Sequence, residues 1–517
     1  MRPMIRLDPR RLLFDREVMG LMGLSLLVKP IGLLSQVLVA RWFGAGEDVD
    51  AYGLALFLVT FGDGTLSQVF RGAMAPYLIQ LKHAVDIDTF HRYQNGVLGL
   101  FIGGGAAWLL GLAALVAAVL PLVWPDLPPI TSDLTIRMTV AMALPGLLLV
   151  VNNLGMSVLN LYQYFRVAGA MPVLNAAAML AALVLWHDRL GIWSLPLGFA
   201  IGQVLQWPVI HLRAFAVRAL RPVRPGLDRR DLGRIRDLIW LMFVGQVLLT
   251  GNAFVDRWFA TALEPGSVAS LNFAYTLVTF GFMLFSTSLV TVMYPHMSET
   301  IAAGEFAACS EYIRHNLVRL CHLVVPASLG IAFAAPELVR VLFERGAFDA
   351  ADTVRTTGAM VMYMLGLPAL IINGLVARIF HSLQLLRDKV WLAVQFLVTN
   401  ALLNFALIGP LQVRGLALAS SLAINLHLLL SLWVLHRRRS GLYTGPLLAV
   451  VGQSYVVGAL AAAVYWALPL ERSLADLADR GFGGAVAAGA IKAAIVVAAY
   501  GVVLGCWRLA ARRRASS

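Results

Sequence analysis

Five charged side chains, Lys29, Asp63, Arg71, Arg378 and Lys492, stand inside long apolar runs of this 517-residue chain. In a bilayer core each costs about 2.5–3.5 kcal/mol on insertion scales and normally faces a partner or a wet cavity. Lys29 lies twelve residues before Arg41, about 18 Å along a helix and so near mid-bilayer. Pro30 follows it directly, removing a backbone donor and bending the helix at the charge. Asp63 lies as far beyond Ala51 and reaches a similar depth. Two compatible readings follow: a structural Lys29–Asp63 ion pair, or a Lys29 contact to an anionic phosphate, tuned by Asp63. Arg71, near the inner end of its run, either guides an anionic headgroup or snorkels. Arg257, preceded by Asp256, stands at an outer end, where it assists release or forms a structural cap shared with Arg41. Arg378 is expected to snorkel, and Lys492 to be structural or to face lipid headgroups. Asn152, Asn153, Gln203, Gln246, Asn400 and Asn404 can hydrogen-bond sugars, although such amides more often bond neighbouring helices.

Bond-making chemistry has no residues to carry it. No Gly-Lys dipeptide occurs, so no Walker A loop is expected. The ten histidines show no His-Glu-x-x-His spacing, and no Gly-x-Ser-x-Gly elbow is present. Cys309, Cys321 and Cys506 are too scattered for a metal site or a disulfide framework. No cofactor is expected. A membrane potential, worth about 2.3 kcal/mol per charge per 100 mV, or an ion gradient remains as the drive.

The elements that must position these charges are membrane helices. Of the residues 59% are hydrophobic and only 13% charged, with a mean hydropathy of +0.77. A crossing needs about 20 apolar residues, and fourteen runs qualify: 18–40, 51–80, 95–123, 134–160, 170–187, 192–215, 237–256, 266–297, 315–336, 357–381, 390–409, 414–435, 446–469 and 484–507. Lipid leaves backbone groups no external partner, so these runs must be helices, and the chain reads as an all-α polytopic membrane protein. The first run is longer than a signal peptide and lacks its cleavage site, which makes it a retained anchor.

The net charge of +13 encodes topology rather than nucleic-acid binding. Twenty-seven of the 41 Lys/Arg fall in segments on the side of the N-terminus and ten on the other, the bias of the positive-inside rule. Both termini are then cytoplasmic. Val39-Ala40-Arg41-Trp42-Phe43 is echoed by Val255-Asp256-Arg257-Trp258-Phe259, and Leu58-Val59-Thr60-Phe61 by Leu277-Val278-Thr279-Phe280. The echo implies two parallel six-helix repeats, a design that places cargo between the halves. The expected organisation is a leader over 1–17, an N-lobe over 18–215, a basic linker over 216–236, a C-lobe over 237–436, and a hairpin with a basic tail over 437–517.

Ala40-Arg41-Trp42-Phe43-Gly44-Ala45 with Asp50-Ala51-Tyr52, Pro265-Gly266-Ser267-Val268, Pro295-His296-Met297-Ser298, Leu342-Phe343-Glu344-Arg345-Gly346-Ala347-Phe348, Leu365-Gly366-Leu367-Pro368 and Gly415-Leu416-Ala417 occur in this order. Together they resemble the MurJ/MviN lipid II flippases. The resemblance implies the two-lobed fold of the multidrug/oligosaccharidyl-lipid/polysaccharide exporter superfamily in a bacterial inner membrane. It also implies inward-to-outward flipping of an undecaprenyl-diphosphate saccharide, most simply lipid II, in peptidoglycan biosynthesis. Partners would be that cargo, membrane lipids and cell-envelope synthesis proteins. Asp50 and Asp256 take structural places in the two repeats, and Glu344-Arg345-Gly346 is expected to form a turn with an ion pair that gates the outer mouth. Ser35, Tyr275-Thr276 and Ser382 to Asp388 stand where the family pattern carries cations, an Asp-Arg pair and an Arg-Gly-Asp-Thr turn. The alternatives are a cation-coupled multidrug antiporter of the same superfamily, a flippase for another lipid-linked polysaccharide unit, or a non-transporting scaffold.

Overall fold

The computed structural model describes residues 16–281, 297, 300, 303–383, 385–438 and 445–516. The leader through 15 and most of the Pro295 to Ser298 motif lie outside the described residues. Among the described residues there is no strand. The chain forms two compact units, Met1–Thr250 and Gly251–Ser517.

In the first unit α1 (Arg16–Phe43), α2 (Glu47–Val69), a π-helical turn (Phe70–Met74), α3 (Ala75–Ala84), α4 (Ile87–Val123), α5 (Pro129–Leu161), α6 (Phe165–Leu190) and α7 (Ser194–Ala216) follow in order, and α8 (Arg229–Ala260) begins. The 37 residues of α4 would reach about 55 Å, longer than a bilayer core. Asp86 caps its start by accepting from the Thr89 N–H at 2.9 Å. Within this unit α5 packs on α2, α4 and α7, while α6 joins α1 to α7.

The basic linker is not a free tether. The Gln94 amide donates to the Ala219 carbonyl at 2.8 Å, and Asn95 donates to the carbonyls of Arg221 and Val223 at 2.9 and 2.8 Å. Gly226 N–H returns a bond to the Arg92 carbonyl at 3.0 Å. A stretch without helix thus has its backbone groups satisfied by the start of α4.

The second unit holds a helix over 267–281, here α9, followed by α10 (Phe306–Phe333), α11 (Ala335–Phe343), α12 (Ala350–Met364), α13 (Leu367–Ser382), α14 (Leu386–Arg437), α15 (Gly445–Ala467), α16 (Glu471–Ala478) and α17 (Phe482–Ser516). The α15–α17 hairpin packs on α10 through Val325, Val457, Ala461, Ala499 and Tyr500. Gly366 lies at the 44° bend between α12 and α13. A Cβ there would come within 2.7 Å of Ser421 Oγ and 2.9 Å of its Cα, so the glycine lets α14 approach.

Leu122 is 82% exposed, Phe405 76% and Trp391 73%, a surface suited to acyl chains. Eight described helices are long and apolar enough to cross a membrane, or ten if each bent pair is one span. Two of these contain a pair of expected crossings each. Residues 165–216 are interrupted at Gly191 (φ 54°) and α14 at Gln412 (φ 50°, ψ −128°), which lie between the runs read from the sequence.

Candidate functional site

Each unit holds a carboxylate inside a cage of neutral donors. In the first unit Asp63 lies near the centre of the 36-residue Glu47–Lys82 span and is 7% exposed. Ser67, one turn on, donates to its Oδ1 at 2.7 Å, and Asn153 of α5 donates to its Oδ2 at 2.7 Å. The neighbouring Asn152 donates to the carbonyl and the side-chain oxygen of Gln203 at 2.9 and 3.2 Å, and Gln203 donates to Asn175 at 3.1 Å. A polar seam therefore crosses α2, α5, α7 and α6. Of the amides singled out in the sequence as sugar binders or interhelical bonds, Asn152, Asn153 and Gln203 bond neighbouring helices here, whereas Gln246 donates to Thr250 within its own helix at 3.2 Å.

The Lys29–Asp63 ion pair is not formed. Both Asp63 oxygens are occupied, and the charge that acts on Asp63 is Arg71. Position along a helix sets depth but not azimuth, and at 3.6 residues per turn equal depth does not make two side chains meet. Lys29 is half-buried and Pro30 exposed within an unbroken α1. Arg71 is exposed in the π-helical turn, with Nε and Nη2 on Gln68 Oε1 at 3.3 and 3.2 Å.

In the second unit Asp256 of α8 receives three donors from α14. Asn400 and Asn404 reach its Oδ1 at 2.6 and 2.8 Å, and Ser420 reaches Oδ2 at 3.1 Å. Both asparagines are fully buried. Arg257 donates to the Ala253 carbonyl at 3.1 Å and to Asn272 Oδ1 at 3.5 Å, and the Tyr275 and Tyr363 rings stand on α9 and α12. Those two rings pack edge to face at 5.7 Å. The site thus joins α8, α9, α12 and α14. Arg257 and Arg41 do not share one environment, because Arg41 is exposed while Arg257 is half-buried. Both helices end at or just past the Trp-Phe pair of the repeat, α1 at Phe43 and α8 at Ala260. Asp50 is buried in the first turn of α2.

In the Glu344-Arg345-Gly346 segment the turn is present but its expected ion pair is different. Gly346 takes φ 64°, which a side chain would strain. Glu344 pairs with Arg340 at 3.9 Å and accepts from Thr353 at 2.7 Å, whereas Arg345 bonds the Val341 carbonyl and lies 5.7 Å over the Phe482 ring. Phe343 and Phe348 bury themselves against Phe273 at 5.1 and 5.6 Å, so the apolar members of the motif anchor it. Lys492 is structural rather than headgroup-facing: its Nζ lies 2.7 Å from Glu337 and 3.4 Å from Glu471, with Lys492 and Glu337 only 8% and 7% exposed.

The sequence profile of the family described as "Lipid II flippase MurJ" matches residues 39–477, more than four-fifths of the chain. The chain belongs to the MurJ family. The lipid II flippase MurJ of Burkholderia cenocepacia is 27% identical over 454 residues, covering 83% of this chain and 84% of its own length. The probable lipid II flippase MurJ of Vibrio cholerae is 26% identical over 439 residues, 80% of this chain and 81% of its own. A solved structure of lipid II flippase MurJ in an inward closed conformation superposes with a TM-score of 0.75 at 18% identity, covering 94% of this chain and 98% of that one. An inward-facing multidrug resistance MATE transporter of the MOP superfamily follows at 0.67 and 12% identity, covering 82% and 98%. Both likenesses show the fold, an all-α bundle of long apolar helices.

Among the residues that bond Asp63, Asp256 and Arg257, Ser67 and Asn272 are not singled out by the sequence. Asp63/Ser67 and Asn400/Asn404 are both spaced i, i+4, the one signal that could have marked them as shared helix faces.

Proposed function

We propose that this chain is a flippase that carries an undecaprenyl-diphosphate-linked saccharide from the cytoplasmic to the periplasmic leaflet by alternating access. The cargo that the MurJ relatives are named for, lipid II, is the first candidate. The observation that carries the reading is the family match across residues 39–477. The chain acts without catalysing a reaction, sits in the bacterial inner membrane, and keeps both termini in the cytoplasm, as its arginine distribution favours. Lys29, Arg71 and Arg257 are the cations proposed to meet the diphosphate along its path, and Asp63 tunes Arg71. Arg257 is the best prepared of the three, because its bonds to Ala253 and Asn272 hold the guanidinium in place. Pro30, Arg41, Asp50, Asp256 and the Glu344-Arg345-Gly346 turn would shape and gate the path. The membrane potential or an ion gradient supplies the drive.

The test is complementation. Growth of a bacterium depleted of its own lipid II flippase is rescued by this chain and fails with Arg257→Ala expressed at the same level. Absence of rescue by the native chain would exclude lipid II as cargo. Native mass spectrometry of the purified protein would then reveal which polyprenyl-linked unit it retains.

A further inference from the structure

The Asp63 cage differs from an ordinary buried ion site in one respect: it holds a charge without neutralising it. Among the described residues no Lys or Arg nitrogen lies within ion-pair distance of the carboxylate, which receives only the Ser67 hydroxyl and the Asn153 amide. Arg71 is the single charge acting on it, and that guanidinium is turned to Gln68. The elements packed on α2 add no other charge, since α5 contributes Asn153 and α4 sets the Trp108 ring against Gly62. An isolated carboxylate at the centre of a membrane span costs several kcal/mol if it stays ionised, and a proton is the smallest ligand that removes the cost.

Both partners can serve either charge state. A hydroxyl donates or accepts, and a primary amide presents NH2 or C=O after a flip. Ionised Asp63 accepts from both, as in the present geometry. Protonated Asp63 can donate its new O–H to Ser67 Oγ or to the Asn153 oxygen, with no backbone movement needed to satisfy the cage.

The same serine leads to a mechanical joint. The Phe70 N–H is directed at both the Leu66 and the Ser67 carbonyls, where α2 gives way to the π-helical turn Phe70–Met74 that carries Arg71. Such turns bend helices and have two close-lying hydrogen-bond registers.

We propose that Asp63 is a proton-binding site of the first unit, and that gain or loss of its proton resets the joint at Phe70–Met74. The proton comes from water and returns to water; one O–H bond forms and breaks, and the site changes from −1 to 0. This deepens the transport reading and rests on it only in assigning the proton a part in the cycle.

The test needs no cargo. Infrared difference spectra of the full chain in liposomes, taken between about pH 4 and pH 9, should contain the C=O band of a protonated buried carboxyl that disappears in Asp63→Asn. Ser67→Ala keeps the acid but removes a donor to its charged form, so the midpoint should move up by about one pH unit. A band unchanged by Asp63→Asn, no such band in the native chain, or an unmoved midpoint in Ser67→Ala overturns the proposal. If Asp63→Asn does not fold, the serine variant alone decides. Failure here leaves the flippase reading standing, and failed complementation leaves the band intact.

Discussion

Lys492 offers the sharpest quantitative test of how the hairpin is held. Its ammonium and the Glu337 carboxylate are each under a tenth exposed and 2.7 Å apart, with Glu471 at 3.4 Å steadied by the Tyr465 hydroxyl at 2.9 Å. Lys492→Ala would strand Glu337, whose Oε2 already has no hydrogen-bond partner. Removing one member of a buried pair costs about 3–5 kcal/mol. At about 2–4 °C per kcal/mol for a body of this size, the melting temperature should fall by about 10 °C. Replacing both charges, as in Lys492→Met with Glu337→Met, removes the stranded ion and should recover most of the loss, to within about 2 kcal/mol of the native chain. The assay is thermal unfolding in detergent micelles followed by tryptophan emission. Trp466, whose ring lies 6.2 Å from that of Tyr465, the residue that bonds Glu471, adjoins the clamp. Additive losses in the double variant, or a single-variant loss below about 1 kcal/mol, would refute the buried-pair reasoning.

Four further outcomes follow from the geometry. Asp256→Ala leaves Asn400, Asn404 and Ser420 without their shared acceptor, and complementation of a flippase-depleted strain should fail, whereas Ser420→Ala, which removes the longest of the three bonds, should keep growth. Arg257→Lys cannot span Ala253 O and Asn272 together, so transport into the outer leaflet should fall about tenfold for the loss of one charge-assisted bond, measured with a labelled lipid-linked saccharide. Gly366→Ala forces a Cβ toward Ser421 and should cost about 1–3 kcal/mol in the same melting assay. The Thr89 N–H holds the Asp86 carboxyl below the usual carboxylate range, so the cap contributes above the unfolded-state pKa and is lost as pH falls through the lower folded value. The protection factor of the Thr89 amide, referred to its intrinsic exchange rate at each pH, should therefore be high at neutral pH and fall in that acidic window.

Long, nearly uniform apolar runs made the helical architecture legible, and the breaks at Gly191 and Gln412 fall between runs separated on polarity alone. The ions were legible as exceptions, because a charge is conspicuous in such surroundings. Their partners were not. Asp63 was paired on depth with Lys29, but the direction in which a side chain leaves its helix depends on packing that composition does not encode. Asp256 meets residues almost 150 positions away, and nothing local to Asn400 or Asn404 announces a shared acceptor. Glu344 was matched to its neighbour Arg345, although adjacent residues on a helical end point apart and the i, i+4 partner Arg340 is favoured. The buried state of Lys492 depends on α11 and α16, short amphipathic helices that a search for crossings passes over.

The grip of Gln94 and Asn95 on the linker bears on how the polypeptide is made. Every bond in that grip joins residues numbered below 227, so the ribosome has released all the parts before any of the second unit emerges. At about 5–20 residues per second, the interval between Asn95 and Val223 lasts several seconds to half a minute, ample for the intervening segments to insert and the strap to close. Nascent chains stalled far enough past Gly226 for the strap to clear the ribosomal exit tunnel should already shield it from protease, leaving the first half finished while its sibling is still being threaded into the bilayer.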